Sequence, residues 1–280
     1  MSEIKIVSSA KELEALLNKF RNQQCSIGFV PTMGALHAGH LSLLTTALSQ
    51  NDFAVISIFV NPTQFNSNED LAKYPRTLES DLLLLSNKQN CILFLPEIAE
   101  VYPSNDCFVP MDFSRFDSIM EGKYRPGHFN GVVHVVHNFF KIIGECQAYF
   151  GMKDFQQLAI IKKMVPHYNF PIEIIACPTL REASGLAMSS RNARLNKKEQ
   201  ESALIIYKTL LFVAGNKLIM NPPSLTIAAK EFFKSGDLEL EYLEIVDEKT
   251  LETAEDWRTP KVCCIAAHCN NVRLIDNILL

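Results

Sequence analysis

The sequence predicts an α/β fold: a Rossmann-like parallel sheet with helices on both faces, followed by a smaller C-terminal α+β lid domain. Three observations predict it. Short strand-like segments recur at Cys25–Val30, Phe53–Val60, Cys91–Leu95, Gln147–Gly151 and Ile172–Cys177, and nearly continuous apolar runs such as FAVISIFV suit strands covered on both faces of a parallel sheet. Amphipathic helical stretches separate them, the pattern of βαβ units. After Lys197 the character changes to two helical stretches and three short strands. The expected domains are residues 1–179 and 180–280.

Length and composition agree. A chain of 280 residues accommodates a full α/β domain and a smaller one, and 48% apolar residues fill a large core. The net charge is −4 and there is no Lys/Arg-rich run, which argues against a nucleic-acid partner. Met1-Ser2-Glu3-Ile4-Lys5 is polar and charged, and no apolar run approaches the ~18 residues of a membrane span. Several of the eight cysteines fall in apolar runs, where a thiol behaves as a small buried hydrophobe. The expectation is a cytoplasmic protein with reduced thiols and no membrane partner.

Taken in order, Lys5–Ser8 is a short opening segment. Ser9 precedes a helix over Lys11–Phe20, with Leu13, Leu16, Leu17 and Phe20 on one side. Strand Cys25–Val30 is broken by Pro31–Gly34, and a helix follows from His37, marked by Leu41, Leu44 and Leu48. Strand Phe53–Val60 ends in the polar loop Asn61–Asn66. Glu69–Ser86 is an amphipathic helix with a broken start at Pro75. Met120–Gly131 is a Gly/Pro-rich loop carrying Lys123, Arg125 and His128, leading into a helix from about Val132 to Ile143. Strand Gln147–Gly151 opens a helix through Lys153-Asp154-Phe155-Gln156-Gln157. Thr179–Arg194 is a Gly-, Ser- and Arg-containing loop. Helices Glu199–Gly215 and Ser224–Phe233, then strands Leu238–Val246, Val262–Ala267 and Val272–Ile275, complete the chain.

The chemistry concentrates at the strand ends, where open α/β sheets bind ligands. After Cys25–Val30 comes PTMGALHAGH. Gly34 and Gly39 permit close backbone approach, and the new helix offers unpaired N–H groups and a positive dipole end, which suits phosphate. His37 and His40, three apart, share one face of its first turn. Three readings stand open: ordinary polar residues at a helix start, a metal pair, or two donors that stabilise charge on a reacting phosphate. The metal reading needs a third ligand, and no H-E-x-x-H or C-x-x-C occurs. Gln64 is either a hydroxy-acid ligand or a solvated loop residue. Lys153 is either a phosphate point charge or a surface lysine. His134 and His137 have metal-like H-x-x-H spacing, but with no acidic or cysteine partner spaced for it they read as packing or surface. No role follows for the adjacent Cys263 and Cys264.

Five blocks, PTMGALHAGH, NPTQF, EGKYRPGHFNG, FGMKDFQQ and SGLAMSSRN, occur in one order along the chain, with KYPR and the terminal VRLIDN as lesser matches. Together they resemble the pantothenate synthetase (pantoate–β-alanine ligase) family of the HxGH nucleotidyltransferase superfamily. The resemblance implies an AMP-forming acid–amine ligase that joins pantoate to β-alanine through a pantoyl adenylate, with ATP as substrate and Mg²⁺ beside it, working as a homodimer. It implies catalytic roles for His37, His40 and Lys153. It assigns ATP binding to Met33, Gly34, Ala35, Leu36, His37, Ala38, Gly39 and His40 in the first block, and to Gly151, Met152, Lys153 and Asp154 in the fourth. Leu180, Met188, Ser189, Ser190 and Arg191 extend the ATP site through a KMSKS-like loop that lacks the usual lysine. Gln64 and Gln157 are implied to bind pantoate, and no resident protein-ligated metal is implied. Ala183-Ser184 departs from the family's common Pro-Asp and bears on loop stiffness. Two alternatives share the HxGH turn: a nucleotidyltransferase making a dinucleotide-like product, which has no reason to keep both glutamine blocks, and a nucleotide sensor without turnover.

Overall fold

The structure, a computed structural model, describes residues 4–65 and 68–280. Met1, Ser2 and Glu3 of the polar opening segment, and Asn66 of the NPTQF loop, lie outside the described residues. The chain forms two compact units. The first runs to Met152 and takes in Gln157–Cys177; the second comprises Lys153–Gln156 and Pro178–Leu280.

The first unit is built on a six-stranded sheet: β1 (Lys5–Val7), β2 (Ile27–Thr32), β3 (Phe53–Ile58), β4 (Cys91–Phe94), β5 (Cys146–Gly151) and β6 (Ile172–Cys177). Every pairing is parallel, in the order β1-β4-β3-β2-β5-β6. From β2 the chain winds out through β3 and β4 on one side, then returns to place β5 on the other. The carboxyl ends of β2 and β5 thus flank the switch point, where such sheets bind ligands. The helices are α1 (Ala10–Asn22), α2 (Ala38–Gln50), α3 (Asn68–Lys73), α4 (Leu78–Leu85), α5 (Ile98–Val101), α6 (Ser114–Asp117), α7 (Met120–Tyr124), α8 (His128–Ile143) and α9 (Phe155–His167). Leu44 and Ala47 of α2 pack with Ala54, Ile56, Leu93 and Tyr149 of the strands, all fully buried. Each buried side chain of Leu or Ile size contributes about 1.5–3 kcal/mol.

Several boundaries differ from the sequence expectation, each for a local reason. β2 continues through Pro31 to Thr32. Thr32 faces β3, since its carbonyl accepts the Phe59 N–H at 3.0 Å; Pro31 therefore faces the β5 side, where pairing has already ended at Phe29. Its missing N–H breaks no ladder. The opening segment is an edge strand, β1, paired with β4. The expected single helix Glu69–Ser86 is two helices, α3 and α4, because Pro75 drives the residue before it out of the helical region. The expected loop Met120–Gly131 is mostly helical: α7, a turn through Gly127 at φ +79°, then α8 from His128. Its charges divide: Lys123 is exposed, while Arg125 pairs with the buried Glu121 at 3.6 Å and His128 is buried.

The second unit holds α10 (Lys197–Asn216) and α11 (Pro222–Phe233) against an antiparallel sheet of β7 (Glu239–Asp247), β8 (Lys261–Cys269) and β9 (Val272–Leu279), ordered β7-β8-β9. Asn196 starts α10 with a capping box: its Oδ1 accepts the Glu199 N–H at 3.0 Å, and Glu199 Oε2 accepts the Asn196 N–H at 2.8 Å. Asn221 caps α11, followed by Pro222 where a missing N–H costs nothing. Phe212 stacks on Phe232 between the two helices, with centroids 4.7 Å apart. Among the described residues no helix is long and apolar enough to cross a membrane.

Candidate active site

The turn after β2 is held in an unusual shape. Gly34 (φ +78°) and Ala35 (φ +48°) are consecutive left-handed residues. For alanine that conformation costs about 1–2 kcal/mol, so something must offset it. Asp81 at the start of α4 does so. Its carboxylate, 1% exposed, accepts the N–H groups of Ala35 at 3.0 Å and Leu36 at 2.8 Å, and the Thr77 hydroxyl at 3.1 Å. The Gly34 N–H donates to Thr32 Oγ1 at 3.1 Å, and that hydroxyl donates to the Ser57 carbonyl at 2.6 Å. A side chain at Gly34 would meet Ile58 at 3.0 Å and Asp81 at 3.2 Å.

This turn delivers His37 as the N-cap of α2. His37 Nδ1 accepts the Gly39 N–H at 3.1 Å, and His40 Nδ1 accepts the His37 N–H at 3.4 Å, a reciprocal cap. The rings lie 4.0 Å apart at 32°. Because each ring accepts through Nδ1, its neutral form carries the proton on Nε2, which becomes the donating nitrogen. Two Nε2 donors therefore accompany the amides of a 13-residue helix N-terminus at the sheet's switch point.

The segment after β3 is a 3₁₀ turn, Pro62–Gln64, capped by Asn61. Asn61 is 1% exposed, and its amide has a fixed polarity. Oδ1 accepts from Tyr102 Oη at 2.7 Å and from the N–H and hydroxyl of Thr63 at 3.3 and 3.0 Å. Nδ2 must then donate, to Gln64 Oε1 at 3.2 Å and the Gly131 carbonyl at 3.1 Å. This leaves Gln64 Nε2 as its donor end, 2.8 Å from Met33 Sδ, which joins Gln64 to the first turn. His128 Nδ1 donates to the Gln64 carbonyl at 2.8 Å. α8 reaches this turn only because residue 131 is glycine: a Cβ there would run into the Thr63 carbonyl and lie 2.7 Å from Gln64 N. Burial pushes the Tyr102 hydroxyl up to about 12, so it stays a donor. Sequence reasoning found Gln64 and missed Asn61 and Tyr102; the Asn-Pro turn signal marked the first, and nothing local marked the second. Gly151 and Met152 lie at the end of β5, and Gln157 is half-buried on α9.

The H-x-x-H pair on α8 has an acidic partner that its spacing did not show. His134 Nε2 lies 2.5 Å from Asp106 Oδ2, which also accepts from Asn138 Nδ2 at 2.9 Å. Burial alone would raise the Asp106 carboxyl, but these hydrogen bonds outweigh it and hold the group below its ordinary range. His134 stacks on Phe108 at 4.2 Å and His137 bonds to Asn138. The pair is packed and hydrogen-bonded, and among the described residues no group of three or more His, Cys, Asp and Glu is arranged to hold a metal.

In the second unit, Lys153 and Asp154 occupy a 3₁₀ turn with Lys153 Nζ 3.4 Å from Asp154 Oδ1. The expected loop at Thr179 onward contains a hairpin: the Met188 N–H donates to Leu180 O at 3.0 Å and the Glu182 N–H to Leu186 O at 2.8 Å. Gly185 (φ +97°) closes the tip over the Tyr207 ring, where any Cβ would collide. Ala183-Ser184 lie exposed at that tip. Arg181 at the stem pairs with both oxygens of Asp276 at 2.6 and 3.0 Å and lies 4.2 Å over Tyr207. Ser189 then caps a 3₁₀ turn, Ser190–Arg194, its hydroxyl accepting the Arg191 N–H at 3.2 Å. Within the first unit the structure thus joins the His37–His40 turn to Gln64; within the second it gathers Lys153, Asp154 and the Leu180–Arg191 segment around β9.

Comparison with known proteins agrees along the whole chain. Residues 5–279 match the family model described as pantoate-beta-alanine ligase. A pantothenate synthetase of Phocaeicola vulgatus is 48% identical, covering 98% of this chain and 99% of the relative. One from Bacteroides thetaiotaomicron is 45% identical, covering 98% of each. Among solved structures, a pantothenate synthetase from Thermus thermophilus superposes with a TM-score of 0.91 at 38% identity, covering 98% of this chain and 99% of that one. Pantoate-beta-alanine ligase from Francisella tularensis, complexed with beta-gamma ATP and beta-alanine, gives 0.81 at 35% identity, covering 99% and 97%. The chain belongs to the pantoate–β-alanine ligase family.

Proposed function

We propose that this enzyme condenses pantoate with β-alanine at the expense of ATP, giving pantothenate, AMP and pyrophosphate through a pantoyl adenylate. The observation that carries the reading is the joint between Gln64 and the HxGH turn. A glutamine whose amide is fixed as a donor, suited to an acid's oxygens, is tied through Met33 to the turn whose two Nε2 donors and helix amides suit phosphate. Those are the two anions that must react.

The chemistry follows from the need to activate a carboxylate, which is inert to amines until its oxygen becomes a leaving group. A pantoate oxygen attacks the α-phosphorus, and the bond to the pyrophosphate oxygen breaks. The β-alanine amine then attacks the acyl carbon, and the bond to the AMP oxygen breaks. No enzyme nucleophile is required; the protein aligns reactants and offsets charge. We assign His37 and His40 to the transferring phosphoryl group, with His40 the better donor. Met33 to His40 and Gly151 to Asp154 serve the nucleotide, as do Leu180, Met188 and the phosphate contacts Ser189, Ser190 and Arg191. Gln64 and Gln157 hold pantoate. Mg²⁺ arrives with ATP. We assign that ion mainly to phosphate oxygens and water, with the half-exposed Asp154 as its carboxylate. We further propose the functional division 1–179 for ATP and pantoate and 180–280 as the lid, a homodimeric assembly and a cytoplasmic location. Eight free cysteines support the last.

The test is ATP-dependent pyrophosphate release, first with pantoate alone and then with β-alanine. A small pantoate-dependent burst that becomes steady release with AMP on adding β-alanine supports the two-step ligase. ATP binding without pyrophosphate under either condition overturns it.

A further inference from the structure

We propose that Asp276 and Asn277, adjacent residues near the end of β9, are positioning residues that set Lys153 and the Leu180–Met188 hairpin together for catalysis. The proposal rests on the ligase reading, in which Lys153 holds the phosphates and the hairpin leads directly into the phosphate contacts Ser189, Ser190 and Arg191.

Two consecutive side chains reach in two directions. Asn277 Nδ2 donates to the main-chain carbonyl of Lys153 at 2.8 Å, across 124 positions of sequence. Asp276 takes the Arg181 guanidinium through both oxygens, and the Asn277 carbonyl accepts from Arg181 Nη2 at 3.2 Å. Arg181 Nη1 also donates to the Gly185 carbonyl at 3.2 Å, so the stem residue holds the hairpin tip. The carboxylate is itself fixed, since Asp276 Oδ1 accepts the Asn277 N–H at 2.8 Å. Asp276 and Asn277 are 4% and 5% exposed. At that burial they act through Lys153 and Arg181 and not on a ligand.

The placement matters because of what a lysine is. Its ammonium is a point charge on a flexible four-carbon stem. Fixing the backbone narrows the volume the charge explores, and small misplacements of a catalytic charge cost rate steeply. Lys153–Gln156 lies far in sequence from the rest of its unit, yet belongs to the body that carries Ser189, Ser190 and Arg191. The Asn277 amide is a direct polar link between that segment and the sheet.

The experiment is a double-mutant cycle read by the single-turnover rate of pyrophosphate release from ATP and pantoate. Wild-type enzyme is run first: absence of pantoate-dependent release rejects the ligase reading itself, and that outcome is distinct from a failure of the positioning role of Asn277. With release established, Asn277→Ala is expected to slow the step about five- to tenfold, the worth of one buried neutral hydrogen bond, with pantoate KM within twofold. In a Lys153→Ala background the same change is expected to cost less than twofold, because its effect passes through Lys153. Equal losses in both backgrounds, or a wild-type rate for Asn277→Ala, would overturn the proposal. Should Asn277→Ala fail to fold, the size-matched Asn277→Leu replaces it in the same cycle with the same criteria.

Discussion

The Asp81 carboxylate accepts the Leu36 N–H at 2.8 Å, 45 positions upstream, and so spans the gap between α4 and the turn that presents His37. Replacing Asp81 with Ala leaves the buried Leu36 N–H and the part-buried Ala35 N–H without that acceptor, and the left-handed Ala35 without its restraint. Expected is a loss of about 1.5–3 kcal/mol of stability, the usual worth of hydrogen bonds to a charged group, measured by urea denaturation. Pyrophosphate release should fall at least about tenfold at temperatures where the variant remains folded.

Lys153→Ala removes a charge-assisted contact to phosphate. Expected is a fall in turnover of about 10- to 150-fold, corresponding to ~1.5–3 kcal/mol. A variant that keeps turnover within about threefold of wild type would show that Lys153 does not hold the reacting phosphates.

Gly131→Ala puts a methyl group where the Thr63 carbonyl and Gln64 N–H lie. Overpacking of this kind costs about 1–3 kcal/mol. Because the displaced backbone carries Gln64, KM for pantoate should rise more than KM for ATP in steady-state assays.

Asp247 gives the second unit an acid limit. Hydrogen bonds from the Thr259 hydroxyl, the N–H groups of Thr250 and Lys249, and Lys261 Nζ hold its carboxyl well below the ordinary range. A depressed folded-state value contributes stability that is complete above the unfolded value, near pH 4, and drains away as pH falls below it toward the folded value. Asp247→Asn should therefore lower Tm at pH 7 and flatten its decline between about pH 5 and pH 2, as followed by circular dichroism.

The thiols should divide by burial. Cys107 is exposed and Cys25 half-buried, while Cys91, Cys146, Cys177, Cys263, Cys264 and Cys269 are buried. Burial pushes the Cys91 and Cys146 thiols up to about 12 and Cys263 higher still. At pH 8, iodoacetamide should label Cys107 first and Cys25 more slowly, with the other six reacting only on unfolding, as read by peptide mass spectrometry.

The strands were legible because a two-sided parallel strand leaves a continuous apolar run, as in Phe53–Ile58, and the His37–His40 turn was legible because its parts are neighbours in sequence. What stayed hidden acts across distance. Asp81 reaches Leu36 over 45 positions, Tyr102 reaches Asn61 over 41 and Asn277 reaches Lys153 over 124. Periodicity reports which face of an element is apolar; it carries no information on which polar side chain will meet which backbone group. The same holds for Asp106, which completes the His134 contact from a segment without regular structure.

The polypeptide enters the second unit twice, first for the four residues Lys153–Gln156 and again from Pro178 onward. Neither unit is therefore one uninterrupted stretch of chain. One crossover at Cys177 would pair a foreign β9 with the resident Lys153 segment, and the Asn277 amide of one parent would have to fit the carbonyl of the other. Exchanging a whole unit between relatives takes three junctions, after Met152, Gln156 and Cys177. Chimeras built with the single junction should lose turnover, and restoring the matching tetrapeptide should recover it.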